Sequence, residues 1–555
     1  MRDIAPERTG RSRRGRAALV GITAAALGLG GTGLSSAGAS SSATVAPDGQ
    51  SVFTLYHPPD SSAGAHTADE PSIGNDWKTG ATMYQSLLTT YRVTFDDSTA
   101  PAVATWTDVS PPLTNHESLD PILFTDQTTG RTLVSQLILG CSISELSDDD
   151  GATWIPDQGC GPNGIEDHQS LGGGPFHAPV TAPPPPAYPH AVYYCNQDFV
   201  ASTTAFCAPS LDGGVTYGPG VPIYTLTQCG GLHGHIRVSP DGTAVVPNQN
   251  CGPTADPASA GGPFPNQAAV VSTNNGASWN VDVIPGSHST LRSDPAVAAD
   301  AANRLYFAYE DGVHANNDVT AEQIGGRALV ATSADGGSTW SQPVDVGAPF
   351  GIQNVTFPEV IAGDSGRAAY AFLGSPTAGD SENKTFQGLW YLYVAFTTDG
   401  GSTWAVQNLT PGDPVERGCI FLAGTGDCPN PAKRNLYDFM DITSDSHGRV
   451  LVGYSDGCTG SCVTDQAQPC SDAACDTGST ASTDHFASIA RESCGLSLLA
   501  TDDASLGCSP SAAVPEAPSV LATALVGVGA VWAWRRRRDP VAALELGDSA
   551  DLSQR

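Results

Sequence analysis

Seven times along this chain, short apolar runs begin at an acidic or imidazole side chain. The seven starts are Glu70-Pro71-Ser72-Ile73, Asp120-Pro121-Ile122-Leu123, Asp167-His168-Gln169-Ser170, His233-Gly234-His235-Ile236, Asp294-Pro295-Ala296-Val297, Pro358-Glu359-Val360-Ile361 and Asp438-Phe439-Met440-Asp441. Arg292 and Tyr437 stand beside two of them. Carboxyl groups gathered in one place raise one another's pKa, which is what a general acid working near neutral pH requires. Two carboxyl groups across a scissile bond are the working parts of most glycoside hydrolases. Arginine beside them supplies a fork that grips a carboxylate. The plainer alternative is that each residue caps a strand end and bonds to a neighbouring element.

Elements are needed that bring the seven starts together. Each start leads into a short apolar strand, a turn at Asp or Gly, and a returning strand, as in Leu305-Tyr306-Phe307-Ala308-Tyr309 and Val450-Leu451-Val452-Gly453-Tyr454. Between the starts a second pattern recurs, Ser/Thr-x-Asp-x-Gly-x-Ser/Thr-Trp. Its copies are Ser147–Trp154, Ser210–Tyr217, Ser272–Trp279, Ser333–Trp340 and Thr397–Trp404, with first residues 63, 62, 61 and 64 apart. Self-similarity at a fixed period means a repeat architecture. Asp and Ser accept backbone N–H groups inside a tight turn. Glycine in the fifth place takes the positive φ that hairpin turns ask for. Each copy therefore reads as a hairpin tip ending in an aromatic, best buried between neighbouring units. The expected fold is all-β, a single β-propeller of six or seven four-stranded blades, seven being favoured by the seven starts. Val52-Phe53-Thr54-Leu55-Tyr56 precedes the first unit and is placed to complete the last blade, whose own third strand is Phe486–Ala490. Such closure removes exposed edges.

The turn pattern resembles the Asp-box, or bacterial neuraminidase repeat, and residues 50–500 resemble the sialidase-like β-propeller superfamily. Asp149, Asp212, Asp335 and Asp399 match the box; Asn274 and Tyr217 depart from it. The resemblance implies that the boxes are structural and lie on the face opposite the active site, so that the strand starts converge on one funnel. It also implies an exo-glycosidase acting on sialylated or related glycans. Tyr437 then matches the nucleophile, Glu359 its activating carboxylate, and Asp120 or Glu70 the acid/base. Arg292, Arg237 and Arg434 would hold the substrate carboxylate, with Asp294, His168, His233, His235 and Asp438 beside them. Arg292 and Asp294, two apart at one strand start, face the same side. The Arg-Ile-Pro motif that precedes the first box in that family is absent, and its sialidases have six blades. A non-catalytic propeller binding a glycan or protein, or a structural envelope protein, is the alternative.

Outside residues 1–50 and 535–555 there are 14 Lys and Arg against 50 Asp and Glu. A nucleic-acid partner is thereby disfavoured. No cofactor is expected, and no metal; a structural calcium is the one ion the acidic surface leaves open. Residues 1–45 read as a secretory signal: arginines at 11, 13, 14 and 16, an apolar run from Ala17 to Gly30, then small residues. Residues 501–518 read as a stalk. Ser519–Trp534 is an uncharged apolar run followed by Arg535–Arg538, the pattern of a membrane anchor with a cytoplasmic tail, 535–555. Val514-Pro515-Glu516-Ala517-Pro518 before it resembles a Pro-Glu-Pro sorting signal. The expectation is an exported propeller held at the cell surface. Fourteen Cys, an even number, fit that compartment. Cys229 and Cys251 flank the turn at Asp241-Gly242 about equally, and Cys195 and Cys207 flank a centre near Ala201. Residues equidistant from a hairpin turn face each other within disulfide reach. Cys458, Cys462, Cys470 and Cys475 sit in one polar loop, where disulfides and a zinc site both remain open.

Overall fold

The computed structural model describes residues 41–502, except 48–49, 139–140, 160–165, 181–185, 199–203, 231, 253–265, 290–291, 315–322, 384, 421–435 and 465–483. Arg434, Cys470 and Cys475 lie outside the described residues, as do most of the expected signal segment and all of the anchor and tail.

Seven antiparallel sheets, each with a core of four strands, follow one another along the chain. Blade 1 spans residues 72–108, blade 2 121–156, blade 3 166–222, blade 4 237–283, blade 5 296–345, blade 6 354–408 and blade 7 441–494. Blade 7 takes its fourth strand, Val52–Tyr56, from the start of the chain, paired to Phe486–Cys494. The first strand of each blade touches that of the next, and the seventh touches the first, so the seven first strands ring an axis. The seven-bladed expectation and the closing strand both hold. A strand that was read as part of the signal, Ser42–Val45, pairs in parallel with Thr403–Asn408 and extends blade 6.

Apolar side chains form seven clusters, one in each seam between neighbouring blades. Alternation along each strand explains this: every blade is covered on both faces, so both sets of side chains are apolar. The thinnest seam joins blades 1 and 2 and is built on Met83, Leu123 and Val134.

All five recurrent turns close in the same way. In the first, Gly151 N–H donates to Ser147 Oγ (2.9 Å), Thr153 N–H to Asp149 Oδ1 (2.8 Å) and Thr153 Oγ1 to Asp149 Oδ2 (2.7 Å). Asp212, Asp335 and Asp399 repeat the arrangement. Asn274 keeps it, accepting Ser278 N–H at Oδ1 and donating from Nδ2 to Ser278 Oγ. Glycine stands fifth because φ there is positive in every copy, from 78° to 97°. The closing aromatics differ from the expectation that all are buried. Trp404 is, while Trp154, Trp279 and Trp340 are half-buried. The added strand Ser42–Val45 accounts for the difference, since it lies along Trp404 and Ala43 packs on the same cluster.

Both disulfides expected from hairpin symmetry are present. Cys195 faces Cys207 in the ladder and Cys229 faces Cys251 in an isolated bridge, with Cα–Cα distances of 4.1 Å in each. In the polar loop Cys458 bonds Cys462.

Candidate functional site

The recurrent turns join the third and fourth strands of their blades, at the end where the first strand finishes. The seven first strands therefore start on the opposite face. Blade 1 illustrates the lower face: Asp150, in the turn of blade 2, lies against Thr79 and Asp76 at the end of the blade 1 first strand. The upper face gathers the starting residues, and their positions depend on local backbone departures. Glu70, His168, Phe357 and Tyr437 all have φ between 51° and 54°, in the left-handed region that non-glycine residues rarely enter. In blades 3 and 6 these residues sit at β-bulges, between Asp167 and Ser170 and between Thr356 and Glu359. A bulge re-aims one side chain at the end of a ladder. Such strain at one face of a ring is a pointer to a site.

Two groups of the expected residues meet. The first joins blades 2 to 5. His168 Nε2–H donates to Asp294 Oδ2 and to the His233 carbonyl, both at 2.7 Å. Burial works against a charged His168, but Asp294, with Asp120 and Asp167 behind it, overrides that and lifts its pKa to about 9. His168 is thus an imidazolium at neutral pH. Its neighbour His233, edge-on at 5.3 Å, is pushed down to about 4 by burial and by the charge on His168. The His168 backbone N–H donates to Asp120 Oδ2 at 3.2 Å. Asp167 shares a hydrogen bond with Asp120, and burial together with that neighbouring charge raises its pKa.

The second group joins blades 4, 6 and 7. Arg237 Nη2 lies 3.0 Å from Asp441 Oδ1 and 3.9 Å from Glu359 Oε2. Asp441 also accepts the backbone N–H groups of Ile73 and Ile442. Burial and the Asp441 charge push Glu359 well above the usual carboxylate range. His235 completes the group, its ring edge-on to Phe439 at 4.5 Å. One ligand-type atom each from His235, Glu359 and Asp441 lies within 4.8 Å of the others, and the same is true of Glu70, Asp120 and Asp438. These are the two described sets with donors suited to a metal ion. Below the second group runs a cavity of about 370 Å³ along the axis, lined by first strands of all seven blades, from Arg237 and Asp441 to Asp126 and His190 near the lower face.

The remaining expected residues are placed elsewhere. Arg292 reaches a connection of blade 6, with Nη2 2.8 Å from Asp380 Oδ1 and Nε 3.6 Å from Glu382 Oε2. The Tyr437 ring packs on His485 at 5.5 Å, and His485 in turn bonds Asp69. Sequence reasoning missed Asp380, Glu382, Asp69 and His485. They lie outside the repeated strand starts, in or beside connections on the upper face, and share no periodic signal. The left-handed backbone positions also carried none, since no glycine marks them.

No protein-family model matches the chain, and no curated protein matches it. Solved structures similar to it include an ulvan lyase of polysaccharide lyase family 25, with a TM-score of 0.40 at 11% identity over 71% of this chain and 93% of that one. An α-L-arabinanase of Penicillium chrysogenum gives 0.34 at 13% identity over 81% and 98%. The six-bladed fucose-binding lectin of Aleuria aurantia gives 0.35 at 11% identity over 61% and 95%.

Proposed function

We propose that this chain is an exported, surface-anchored propeller that takes the end of a glycan into its upper funnel and hydrolyses a glycosidic bond there. The closed turns share the lower face, which supports reading them as Asp-boxes and the opposite face as the working one. The observation that carries the hydrolase reading is the Asp120–Asp167 pair: two half-exposed carboxyl groups joined by a hydrogen bond on the upper face, with burial and the neighbouring Asp120 raising the pKa of Asp167. In this reading Asp167, its pKa raised, protonates a leaving oxygen, and Asp120 holds or returns the proton. His168 ties the pair to blade 5, donating its backbone N–H to Asp120 and its ring N–H to Asp294.

The sugar is proposed to be uncharged. Arg237 and Arg292 already lie against protein carboxylates, so a sialic acid would have to displace Asp441 or Asp380 to reach them. That same engagement favours a second reading, a funnel that binds glycans without turning them over.

The test is release of aglycone from a panel of neutral aryl glycosides and sialosides, beside a glycan array. Turnover of a neutral glycoside, lost at least 100-fold in kcat in Asp167→Asn, is the expected result, since general acid catalysis supplies roughly 10²–10⁴-fold. Turnover of sialosides alone would overturn the choice of sugar. Array binding with no turnover on any substrate would replace the hydrolase by the binding propeller. Neither turnover nor binding would leave the ring as a scaffold and end both readings.

A further inference from the structure

We propose that His235, Glu359 and Asp441 form a binding site for a divalent first-row transition ion at the upper mouth of the axial cavity. The inference stands on the described side chains and not on hydrolysis. Three blades deliver the three residues: His235 just before the blade 4 first strand, Glu359 just after the bulge of blade 6, and Asp441 at the first position of blade 7. Their ligand-type atoms lie mutually within 4.8 Å. All three are buried, at 7%, 6% and 4% exposure.

The second observation is what these groups lack. Neither ring nitrogen of His235 makes a hydrogen bond or ion pair among the described residues, and its ring lies edge-on to Phe439 at 4.5 Å. The Glu359 carboxylate makes no hydrogen bond either, and its nearest cation is Arg237 Nη2 at 3.9 Å. An imidazole and a carboxylate this buried are nearly always hydrogen-bonded in folded proteins. Here both point toward one place. Asp441 differs in a way that suits a ligand: two backbone N–H groups and Arg237 hold it in orientation, as outer contacts do for metal-bound carboxylates.

The donor type agrees. One imidazole and two carboxylates form a mixed N/O set that fits Zn²⁺ or Mn²⁺. Bond lengths of about 2.0–2.2 Å around zinc require the three donors to close in slightly on binding. Three protein ligands leave further coordination positions toward the funnel, where water or vicinal sugar hydroxyls would complete the shell.

The experiment uses untagged, chelator-stripped full chain and titrates Zn²⁺, Mn²⁺ and Ca²⁺ by calorimetry, with Co²⁺ absorption as an independent reading. One equivalent of Zn²⁺ or Mn²⁺ is expected, with a visible Co²⁺ spectrum. Glu359→Gln and His235→Gln should each weaken binding at least 100-fold and abolish the spectrum. Melting in chelator shows whether the variants fold; if one does not, the other and the wild-type Co²⁺ spectrum, which reports nitrogen and oxygen donors, decide. His66→Gln, an exposed histidine elsewhere, should bind as wild type. Absence of stoichiometric transition-metal binding, unchanged binding in a folded Glu359→Gln or His235→Gln, or preference for Ca²⁺ would each overturn the proposal.

Discussion

Replacing Asp294 by Asn should remove most of a pH-dependent source of stability. In the native chain His168 holds its proton against burial because Asp294 Oδ2 sits 2.7 Å from Nε2. Its folded pKa of about 9 lies above the ordinary 6.5. At about 1.4 kcal/mol per tenfold change in proton affinity, the difference corresponds to ~3 kcal/mol. Because the folded value is the higher one, this contribution is full below pH 6.5 and is lost as pH rises through about 9. Asn cannot supply the charge, so burial would be opposed only by the more weakly acting Asp120 and Asp167, and the folded pKa of His168 would fall well below its native value. The variant should then gain less stability on acidification than the native protein does. For a protein of this size, 1 kcal/mol moves Tm by only about 1 °C. The variant should therefore melt at least ~3 °C below the native protein at pH 6, with the gap closing by pH 10. Calorimetry at pH 6, 8 and 10, with an imidazole NMR titration of His168, measures both quantities. A gap that is the same at all three pH values would refute the electrostatic account, and so would a His168 that titrates near 6.5.

Arg491 joins blades 7 and 1 through a two-pronged contact with Asp97 (2.7 and 2.9 Å) above the Phe95 ring. Arg491→Met should cost ~2–3 kcal/mol, less than a fully buried pair because Asp97 is partly exposed; an unchanged Tm would show that the contact adds nothing to closure. Trp404→Ala should cost ~3–5 kcal/mol and Trp340→Ala about half that, since Trp340 is half-buried; equal losses would contradict the packing described. Replacing Cys195 and Cys207 together by Ser should cost roughly 3 kcal/mol on the chain-entropy model, and peptide mapping without reduction should recover this pair and Cys229–Cys251.

What the sequence made legible was whatever is local or repeated. Five turns could be read from eight residues each, because Asp149 and its counterparts bond within their own turn. The seven blades followed from seven strand starts, and the hairpin disulfides from distance to a turn. Contacts between units carried no such signal. Arg292 looked free for a substrate because Asp380 and Glu382, its partners, come from a connection almost 90 residues away. Trp404 and Trp340 end identical motifs yet differ in burial, since only one is covered by a strand from the start of the chain. Glu70, His168 and Tyr437 were recognised by type, but the left-handed backbone that aims them is not marked by glycine.

Closure of the ring by Val52–Tyr56 has a consequence for the order of synthesis. The bond from Ser51 Oγ to Glu492 Oε1 joins residues 441 apart, and Ser42–Val45 waits on Thr403–Asn408 in the same way. At roughly 5–20 residues per second, translation separates the two sides of that closing contact by about 20–90 s. During that interval the first strands made have no ladder to join, and every blade already formed belongs to an open arc with two bare ends. Topologies dominated by such distant pairings fold slowly and expose strand edges meanwhile. A nascent or truncated chain lacking residues 486–494 would keep those edges permanently, so the molecule becomes resistant to aggregation only when its last blade is complete.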